Sequence, residues 1–492
     1  MTKDLIKDML KYIPAKIIPA IIGLISIPII TRLFSPADYG NYILVLSTVT
    51  VLATLVGWLG MSIIRFYPTY ERDEKLDIFY STVIKWLFIS VFGSSILFLV
   101  VLLISKNYIS ENLYHLMLIG IGVFVCLSFF QTLLDFLRSK CMVSWYTNFS
   151  VWKSITAVGL GLMLIIIFKF GIGGLLLGII ISIVLVFPWL WRKAVGKFPP
   201  FRNSFSLLLS REMAAYGFPL VIGNLAAWIL SLSDRYVLEF FRGAQEVGIY
   251  SASYAIGEHS ILLITSLFLL ASGPLSIHIW EEEGEERSKI FITKLTRYFL
   301  LLCIPVVAGV SVLAEPILDI FTGQEYLVGY SILPFVAGSI FFLGLSQRFG
   351  MGLTFYKKTG YIMWSLIISG SVNLGLNFIF IPKYGYVAAA VTTFIGYIIM
   401  LLLMIYFSRK IFVWNFPFKT LGKCSVASIM MGTGVYFLVN NLYFSTFVSL
   451  ILGILAGIVI YSVLIFIFRE ILPEEKEEIK YFVQKYVFKK NS

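Results

Sequence analysis

Apolar stretches of about twenty residues recur from one end of the chain to the other, separated by short polar segments. They mix Leu, Ile, Phe and Gly without the strict alternation of barrel strands, so they favour helices. The pattern predicts an all-α integral membrane protein with about 14 transmembrane helices. We place these at 12–34, 39–66, 80–104, 112–137, 144–168, 171–191, 212–232, 249–273, 289–313, 330–347, 360–381, 386–407, 421–440 and 444–468.

The composition also supports a location in the membrane. Hydrophobic residues make up 59% of the chain and charged residues 13%, whereas soluble proteins carry about a quarter charged residues. The spans leave no room for a sizeable soluble domain. The four cysteines lie singly, without metal-ligand or redox spacing.

Lys and Arg predict the orientation. If the N-terminus is cytoplasmic, all but six of the 39 Lys and Arg residues fall on the cytoplasmic side, so the positive-inside rule favours cytoplasmic N- and C-termini. The same asymmetry accounts for the net charge of +12 through attraction to anionic membrane lipids. No nucleic-acid partner is needed to explain it. The six outer residues are Arg32, Lys106, Lys169, Arg235, Arg242 and Lys383.

Two short phrases occur twice. SPADYGNY at 35–42 resembles GAQEVGIY at 243–250, and KFGIGG at 169–174 resembles KYGYVAA at 383–389. The first phrase reads as a helix start, with Ser35 as the cap and Asp38 complementing the free N–H groups; Gly243 and Glu246 take these positions in the second copy. Offsets of 208 and 214 indicate two homologous lobes. We expect the phrase to be scaffold, opening the second helix of each lobe.

The repeats predict two parallel six-helix lobes plus two C-terminal helices, a transporter architecture with the substrate path between the lobes. The expected divisions are an N-terminal lobe at 1–191, a cytoplasmic linker at 192–211, a C-terminal lobe at 212–410, helices 13 and 14 at 411–470, and a cytoplasmic interfacial tail at 471–492.

Enzyme chemistry is not indicated. The sequence has no phosphate-binding P-loop, no Gly-x-Ser-x-Gly elbow and only three histidines, without metal-like spacing. Its predicted external loops are too short for a glycosyltransferase or ligase site. We therefore predict a protein that is not an enzyme and has no cofactor.

Charged residues near or within the apolar spans are the candidate substrate-binding residues, because a charge at depth should face a cavity or a partner. For Arg65 and Arg348, snorkelling to the membrane surface is an equal alternative. Asp234 and Arg235 could instead form a structural ion pair. Glu258 and His259 could instead make structural hydrogen bonds. The excess of cations favours an anionic phosphate or pyrophosphate head group. The full set is Arg65, Lys153, Asp234, Arg235, Glu258, His259, Arg297 and Arg348.

Three phrases carry a family resemblance. LFSPADYGNYILVLS at 33–47, SDRYVLEFFRGAQEVGIYSASYAI at 233–256 and NLGLNFIFIPKYGYVAAAVTTFIGY at 373–397 resemble the polysaccharide-export branch of the multidrug/oligosaccharidyl-lipid/polysaccharide exporter superfamily, typified by O-antigen flippases. The resemblance implies that the protein moves an undecaprenyl-pyrophosphate-linked oligosaccharide from the cytoplasmic to the outer leaflet. It also implies a monomer in a bacterial or archaeal plasma membrane, with a glycan polymerase or export machinery as possible partners.

By position, Asp234-Arg235 matches the Asp-Arg pair common at the end of helix 7 in that family, and Arg65 matches a basic residue late in helix 2. The resemblance further implies that transport is driven by an ion gradient, of H+ or Na+, or by consumption of the substrate outside. Two alternatives stay open: an ion-coupled exporter of small amphiphilic drugs, and a lipid II flippase.

Overall fold

The structure is a computed structural model that describes residues 2–196, 205–441 and 445–470. Among these residues the regular secondary structure is helical, and no strand occurs. The helices are α1 Thr2–Leu33, α2 Pro36–Val56, α3 Trp58–Arg72, α4 Leu76–Ser105, α5 Glu111–Ser139, α6 Val143–Ile166, α7 Gly173–Ala194, α8 Leu207–Arg242, α9 Ala244–Glu282, α10 Gly284–Val312, α11 Ala314–Phe321, α12 Leu333–Phe355, α13 Thr359–Arg409, α14 Phe418–Asn441 and α15 Thr446–Ile467.

The predicted all-α membrane architecture is confirmed. Twelve helical segments within the described residues are long and apolar enough to cross a membrane. One of them, α13, contains two helices that meet at Gly385, and the 39-residue α9 covers the predicted span 249–273 in addition to the twelve. The second predicted span is interrupted at Gly57, where α2 ends and α3 begins.

The first repeated phrase begins a helix as expected. The Asp38 backbone N–H donates to Ser35 Oγ over 3.3 Å, and Ser35 Oγ donates to the Asp38 carboxylate over 2.8 Å. The second copy also begins a helix, because Gly243 directly precedes α9 and its carbonyl accepts the Val247 N–H. Gly243, at φ 85°, ends α8, and its N–H donates to the carbonyl of Glu239.

Glu246 lies in the first turn of α9, as the sequence predicted, and its carboxylate also serves a second helix. Its carboxylate accepts the Tyr386 backbone N–H at 2.9 Å and pairs with Arg242 Nε at 2.7 Å. It therefore caps the second helix of α13, which follows the left-handed Gly385. Gly171 precedes α7 with φ 61°, close to the 59° of Gly385, so the matching glycines of the second repeated phrase share a left-handed φ.

Packing divides the chain into two compact units. The first comprises residues 1–255, 322–332 and 359–400, and the second comprises 256–321, 333–358 and 401–492. In the first, α5 packs against α2, α3, α4 and α7, while α6 packs against α1 and α7. In the second, α10 packs against α12 and α14, and Leu313, Met431, Val435 and Leu450 form a buried cluster.

These units follow packing rather than chain order, so the predicted lobe boundaries stay a prediction. Part of the predicted linker, at 197–204, and the predicted tail, at 471–492, lie outside the described residues.

Candidate functional site

Asp234 and Arg235 form a buried ion pair inside the first unit. Their exposed fractions are 1% and 5%, and Arg235 Nη1 lies 2.9 Å from Asp234 Oδ1. Tyr250 donates a hydrogen bond to the other carboxylate oxygen, and the Arg235 guanidinium lies 5.0 Å from the Tyr254 ring centroid. The guanidinium therefore occupies the place beside this carboxylate that a bound cation would need.

Buried polar side chains extend this pair along α13. Thr393 Oγ1 donates to Asp234 Oδ2 over 3.3 Å, and Asn373 Nδ2 donates to Thr393 Oγ1 over 3.4 Å. Asn377 donates to Asn373 over 3.2 Å and accepts from Thr392. The network joins α8, α9 and both helices of α13. It holds the side chains of Asp234 and Arg235 in buried positions by hydrogen bonds.

Lys153 and Arg65 have different surroundings in the same unit. Lys153, on α6, is partly buried, and its Nζ lies 5.8 Å from the Phe130 ring centroid, a cation–π arrangement. Arg65, on α3, is exposed. Lys153 therefore stays a predicted cavity residue, and for Arg65 substrate contact and snorkelling both stay predictions.

Glu258 and His259 are adjacent on α9, in the second unit. Both are partly buried. The sequence predicted these two side chains as substrate-binding residues, with structural hydrogen bonding as the equal alternative. The position keeps this predicted role open.

Arg297 is held by a residue that the sequence did not single out. Arg297 Nε lies 3.2 Å from the Glu470 carboxylate, and Nη2 donates to the Glu470 carbonyl. Lys423 Nζ lies 2.9 Å from the same carboxylate, which also accepts from the Thr420 hydroxyl. This Glu470 latch, formed by Arg297, Thr420, Lys423 and Glu470, fastens the end of α15 to α10 and α14.

Electrostatics keep the latch ionised. Burial acts to raise the pKa of the Glu470 carboxyl, but hydrogen bonds from Thr420, Lys423 and Arg297 outweigh it and hold the pKa below its usual range. The prediction that Arg297 faces a substrate cavity finds no support in this geometry, because the guanidinium is already committed to Glu470.

Arg348 is the most deeply buried cation of the predicted set. It is 1% exposed on α12, Nη1 donates to the Gly344 carbonyl over 2.7 Å, and the guanidinium lies 4.1 Å from the Phe299 ring centroid. This placement is interior and does not fit snorkelling, the alternative that the sequence left open for Arg348.

The second unit contains a cavity of about 1040 Å³. Its walls are mostly aromatic and aliphatic, contributed by α10, α12, the end of α13 and the start of α14. Two basic residues, Arg409 and Lys419, line it and are exposed. Such a cavity can hold an apolar chain whose anionic group lies against the two cations. The aromatic lining residues are Phe341, Phe342, Phe349, Phe412, Trp414, Phe416 and Phe418.

None of the eight predicted site residues lines this cavity. A signal for it was present in RKIFVWNFPFKTL at 409–421, where basic residues flank a run of aromatics. That pattern is typical of a membrane interface and of anionic lipid contact. Within the described part of the chain, no group of three or more His, Cys, Asp or Glu residues is placed to hold a metal ion.

Comparison with solved structures agrees with the fold. The lipid II flippase MurJ, in an inward closed conformation, matches with a TM-score of 0.75 and 21% identity, covering 93% of this chain and 98% of that one. An inward-facing multidrug resistance MATE family transporter of the MOP superfamily matches with a TM-score of 0.67 and 14% identity, covering 81% of this chain and 94% of that one. These likenesses establish the architecture.

Sequence comparison supplies the family. The probable low-salt glycan biosynthesis flippase Agl15 of Haloferax volcanii is 23% identical over 350 residues, which cover 69% of this chain and 71% of that protein. A family model described as polysaccharide biosynthesis protein matches residues 5–280, more than half of the 492 residues. Both findings confirm the resemblance to the polysaccharide-export branch. The chain therefore belongs to the polysaccharide biosynthesis protein family.

Proposed function

We propose that the protein is a flippase that moves a polyprenyl-phosphate- or pyrophosphate-linked oligosaccharide from the cytoplasmic to the outer leaflet by alternating access. Membership of the polysaccharide biosynthesis family supports this, as does the name of the Haloferax relative. The substrate would be carried without chemical change, so the protein would be a transporter rather than an enzyme. The lipid-linked oligosaccharide delivered to the outer leaflet would be used in the assembly of a surface polysaccharide.

The cavity of the second unit is the observation that carries this proposal. Its aromatic walls suit an apolar tail, and Arg409 with Lys419 supplies charge-assisted hydrogen bonds for a phosphate. By the positive-inside rule these cations lie on the cytoplasmic side, where such a lipid would enter. A small amphiphilic cation, the substrate class of the drug-exporter alternative, would be repelled there.

The predicted charged residues take separate roles in this proposal. Lys153 contacts the head group during passage, whereas Asp234, Arg235 and Arg348 hold the helices that surround the path. We do not propose Asp234 as the binding site of the coupling ion, because Arg235 already neutralises its carboxylate. We propose that Glu258 and His259 exchange a proton when transport is coupled to an H+ gradient, with Na+ coupling as the alternative.

The cellular setting follows from the same reasoning. We propose a monomer in the plasma membrane of a bacterium or archaeon, with both termini cytoplasmic. A glycan polymerase or export machinery would act on the delivered substrate. Membrane lipids are the remaining partners, and no nucleic acid is involved.

Translocation in proteoliposomes tests the proposal. The probe is a polyprenyl-pyrophosphate oligosaccharide with a fluorophore on the sugar, quenched by a membrane-impermeant reductant. The double variant Arg409→Gln, Lys419→Gln should lower the transfer rate by about tenfold or more, since two phosphate contacts are lost. Lys75→Gln, an exposed lysine on the same predicted side but in the other unit, should leave the rate unchanged.

Each alternative has its own outcome. Unchanged transfer in the double variant would remove the cavity from the mechanism. No transfer of the probe under any ion gradient, combined with efflux of a cationic dye, would support the drug exporter instead. Transfer of a muropeptide-linked lipid in preference to the oligosaccharide probe would support a lipid II flippase. Loss of the pH-gradient effect in Glu258→Gln would support proton coupling through Glu258.

A further inference from the structure

The first turn of α14 forms one wall of the cavity in the second unit. All four of its residues line the cavity: Phe418, Lys419, Thr420 and Leu421. Backbone N–H groups at the start of a helix have no partner within the helix, and the helix dipole is positive there. A helix start in a cavity wall therefore favours an anion, and the exposed Lys419 adds a full positive charge. Arg409, at the end of α13, supplies a second cation to the same cavity.

A buried carboxylate holds this turn in place. Glu470 is 6% exposed, and its carboxylate accepts a hydrogen bond from the Thr420 hydroxyl. Lys423, about one turn further along α14, places its Nζ 2.9 Å from the other carboxylate oxygen. Arg297 of α10 binds the same carboxylate at 3.2 Å. Glu470 therefore ties the first two turns of α14 to α10.

The same face of α10 also holds the loop that precedes α14. Thr293 lies four residues before Arg297, so the two side chains share one face of the helix. The Thr293 hydroxyl donates to the Asn415 carbonyl over 3.0 Å, and both residues line the cavity. Contacts from one face of α10 thus fix the cavity wall on both sides of the point where α14 begins.

We propose that Glu470 is a positioning residue for the anionic group of the substrate: it holds the first turn of α14 so that Lys419 and the helix start face the cavity. The inference rests on the proposed function, which assigns the phosphate of a lipid-linked oligosaccharide to this cavity. Glu470 acts through Thr420 and Lys423, in the way that supporting residues hold the groups that touch a ligand.

The negative charge of Glu470 separates a positioning role from a purely electrostatic one. A carboxylate near an anion site repels the anion, so removing its charge should strengthen phosphate binding if charge alone matters. The same change would release the positive charges of Arg297 and Lys423, which acts in the same direction. If Glu470 positions the turn, its loss instead displaces Lys419 and weakens phosphate binding. The direction of the change in affinity therefore decides between the two roles.

The experiment measures lipid binding to the purified full-length protein in detergent micelles. The two probes are a polyprenyl phosphate and the neutral polyprenol of the same chain length, and the Kd of each is measured by thermophoresis of the labelled protein. The test variant is Glu470→Gln, which keeps the shape of the side chain and removes its charge. The control is Glu281→Gln, which removes the same charge from an exposed position in the same unit.

We expect Glu470→Gln to raise the Kd for polyprenyl phosphate about tenfold and to change the Kd for polyprenol less than about twofold, because one charge-assisted contact is lost. Glu281→Gln should change neither. An unchanged or lower Kd for the phosphate in Glu470→Gln would overturn the inference. An equal rise for both lipids would also overturn it, since that indicates general damage to the cavity.

A second variant covers a failure of Glu470→Gln to fold, which melting curves would reveal. Glu470→Asp keeps the charge but shortens the side chain by one methylene, so it should weaken the contacts to Thr420 and Lys423 and raise the Kd for the phosphate selectively. An affinity equal to that of the wild type would then overturn the inference.

Binding to the wild type separates this inference from the proposed function. A wild type that binds polyprenyl phosphate no better than polyprenol would remove the phosphate from the cavity, and with it both proposals. A wild type that prefers the phosphate, with the same preference in Glu470→Gln, would overturn the positioning role alone and leave the proposed function standing.

Discussion

At the scale of single residues, the Glu470 latch shows how a buried cation is stabilised in this fold. Arg297 is 8% exposed, so an uncompensated charge there would be costly. Glu470 supplies the counter-charge, and Thr420 and Lys423 satisfy the remaining carboxylate positions. Because all three partners lie on α10 and α14, the latch determines how the end of α15 is held.

We expect Glu470→Gln to lower the stability of the protein by about 3 kcal/mol at neutral pH, because Arg297 would be left buried without its counter-charge. The folded-state pKa of Glu470 is depressed, so its contribution is complete above the unfolded pKa of about 4.3 and is lost as pH falls through the lower folded pKa. Thermal melting across this range should therefore converge for wild type and variant at low pH.

The exposed Glu281→Gln, in the same unit, is the control, and its melting should follow that of the wild type. A constant difference between wild type and Glu470→Gln at every pH would contradict an ionised latch.

The latch also shows where reasoning from sequence stopped. Depth within an apolar span predicted that Arg297 faces a cavity or a partner, but depth does not indicate which side of the helix it faces. Its partner is 173 positions away in sequence. Glu246 and Tyr386, 140 positions apart, present the same difficulty. Such pairs depend on how helices pack, and one sequence contains no signal for that packing.

At the scale of helices, α13 combines two spans through one glycine. Gly385 has φ 59° and ψ −142°, a combination that strains other residues, and an added Cβ would overlap the Glu246 carboxylate. Gly171, which matches Gly385 in the repeated phrases at 169–174 and 383–389, has a similar φ of 61°. Hydropathy predicted the spans themselves, but it did not predict the break at Gly57, because no change in polarity marks it.

We expect Gly385→Ala to destabilise the protein by about 2 kcal/mol or more through backbone strain and displacement of the Glu246 cap. Gly375→Ala, on the same helix, is the matched control, since its Cβ would meet nothing within 4 Å. Alanine there should raise stability slightly, by about 0.5–1 kcal/mol, through helix propensity. Melting curves of both variants in one detergent provide the comparison. Equal effects would show that Gly385 has no special conformational role.

At the scale of the whole molecule, the bilayer made the fold easy to predict. Long helices are required wherever backbone groups cross an apolar medium, so hydropathy alone indicates the fold class. The repeated phrases added the predicted duplication, and comparison with a solved structure agrees with the fold class. The cavity at Arg409 and Lys419 was missed because it is formed by three-dimensional packing of α10, α12, α13 and α14. Its position relative to the two leaflets depends on the orientation, which charge bias alone predicts.

We expect the loop that joins α12 to α13 and the loop after α13 to face the cytoplasm, and the segment Lys106–Tyr108 to face outward. Tyr108 is 88% exposed and Asn415 is exposed, so each can carry a reporter thiol in a chain with its cysteines replaced. In intact cells an impermeant maleimide should label Tyr108→Cys, and it should label Asn415→Cys only after permeabilisation. The reverse pattern would place Arg409 and Lys419 at the outer leaflet. It would then remove the reason for assigning substrate entry to that cavity, since the lipid-linked glycan would meet those cations only after translocation.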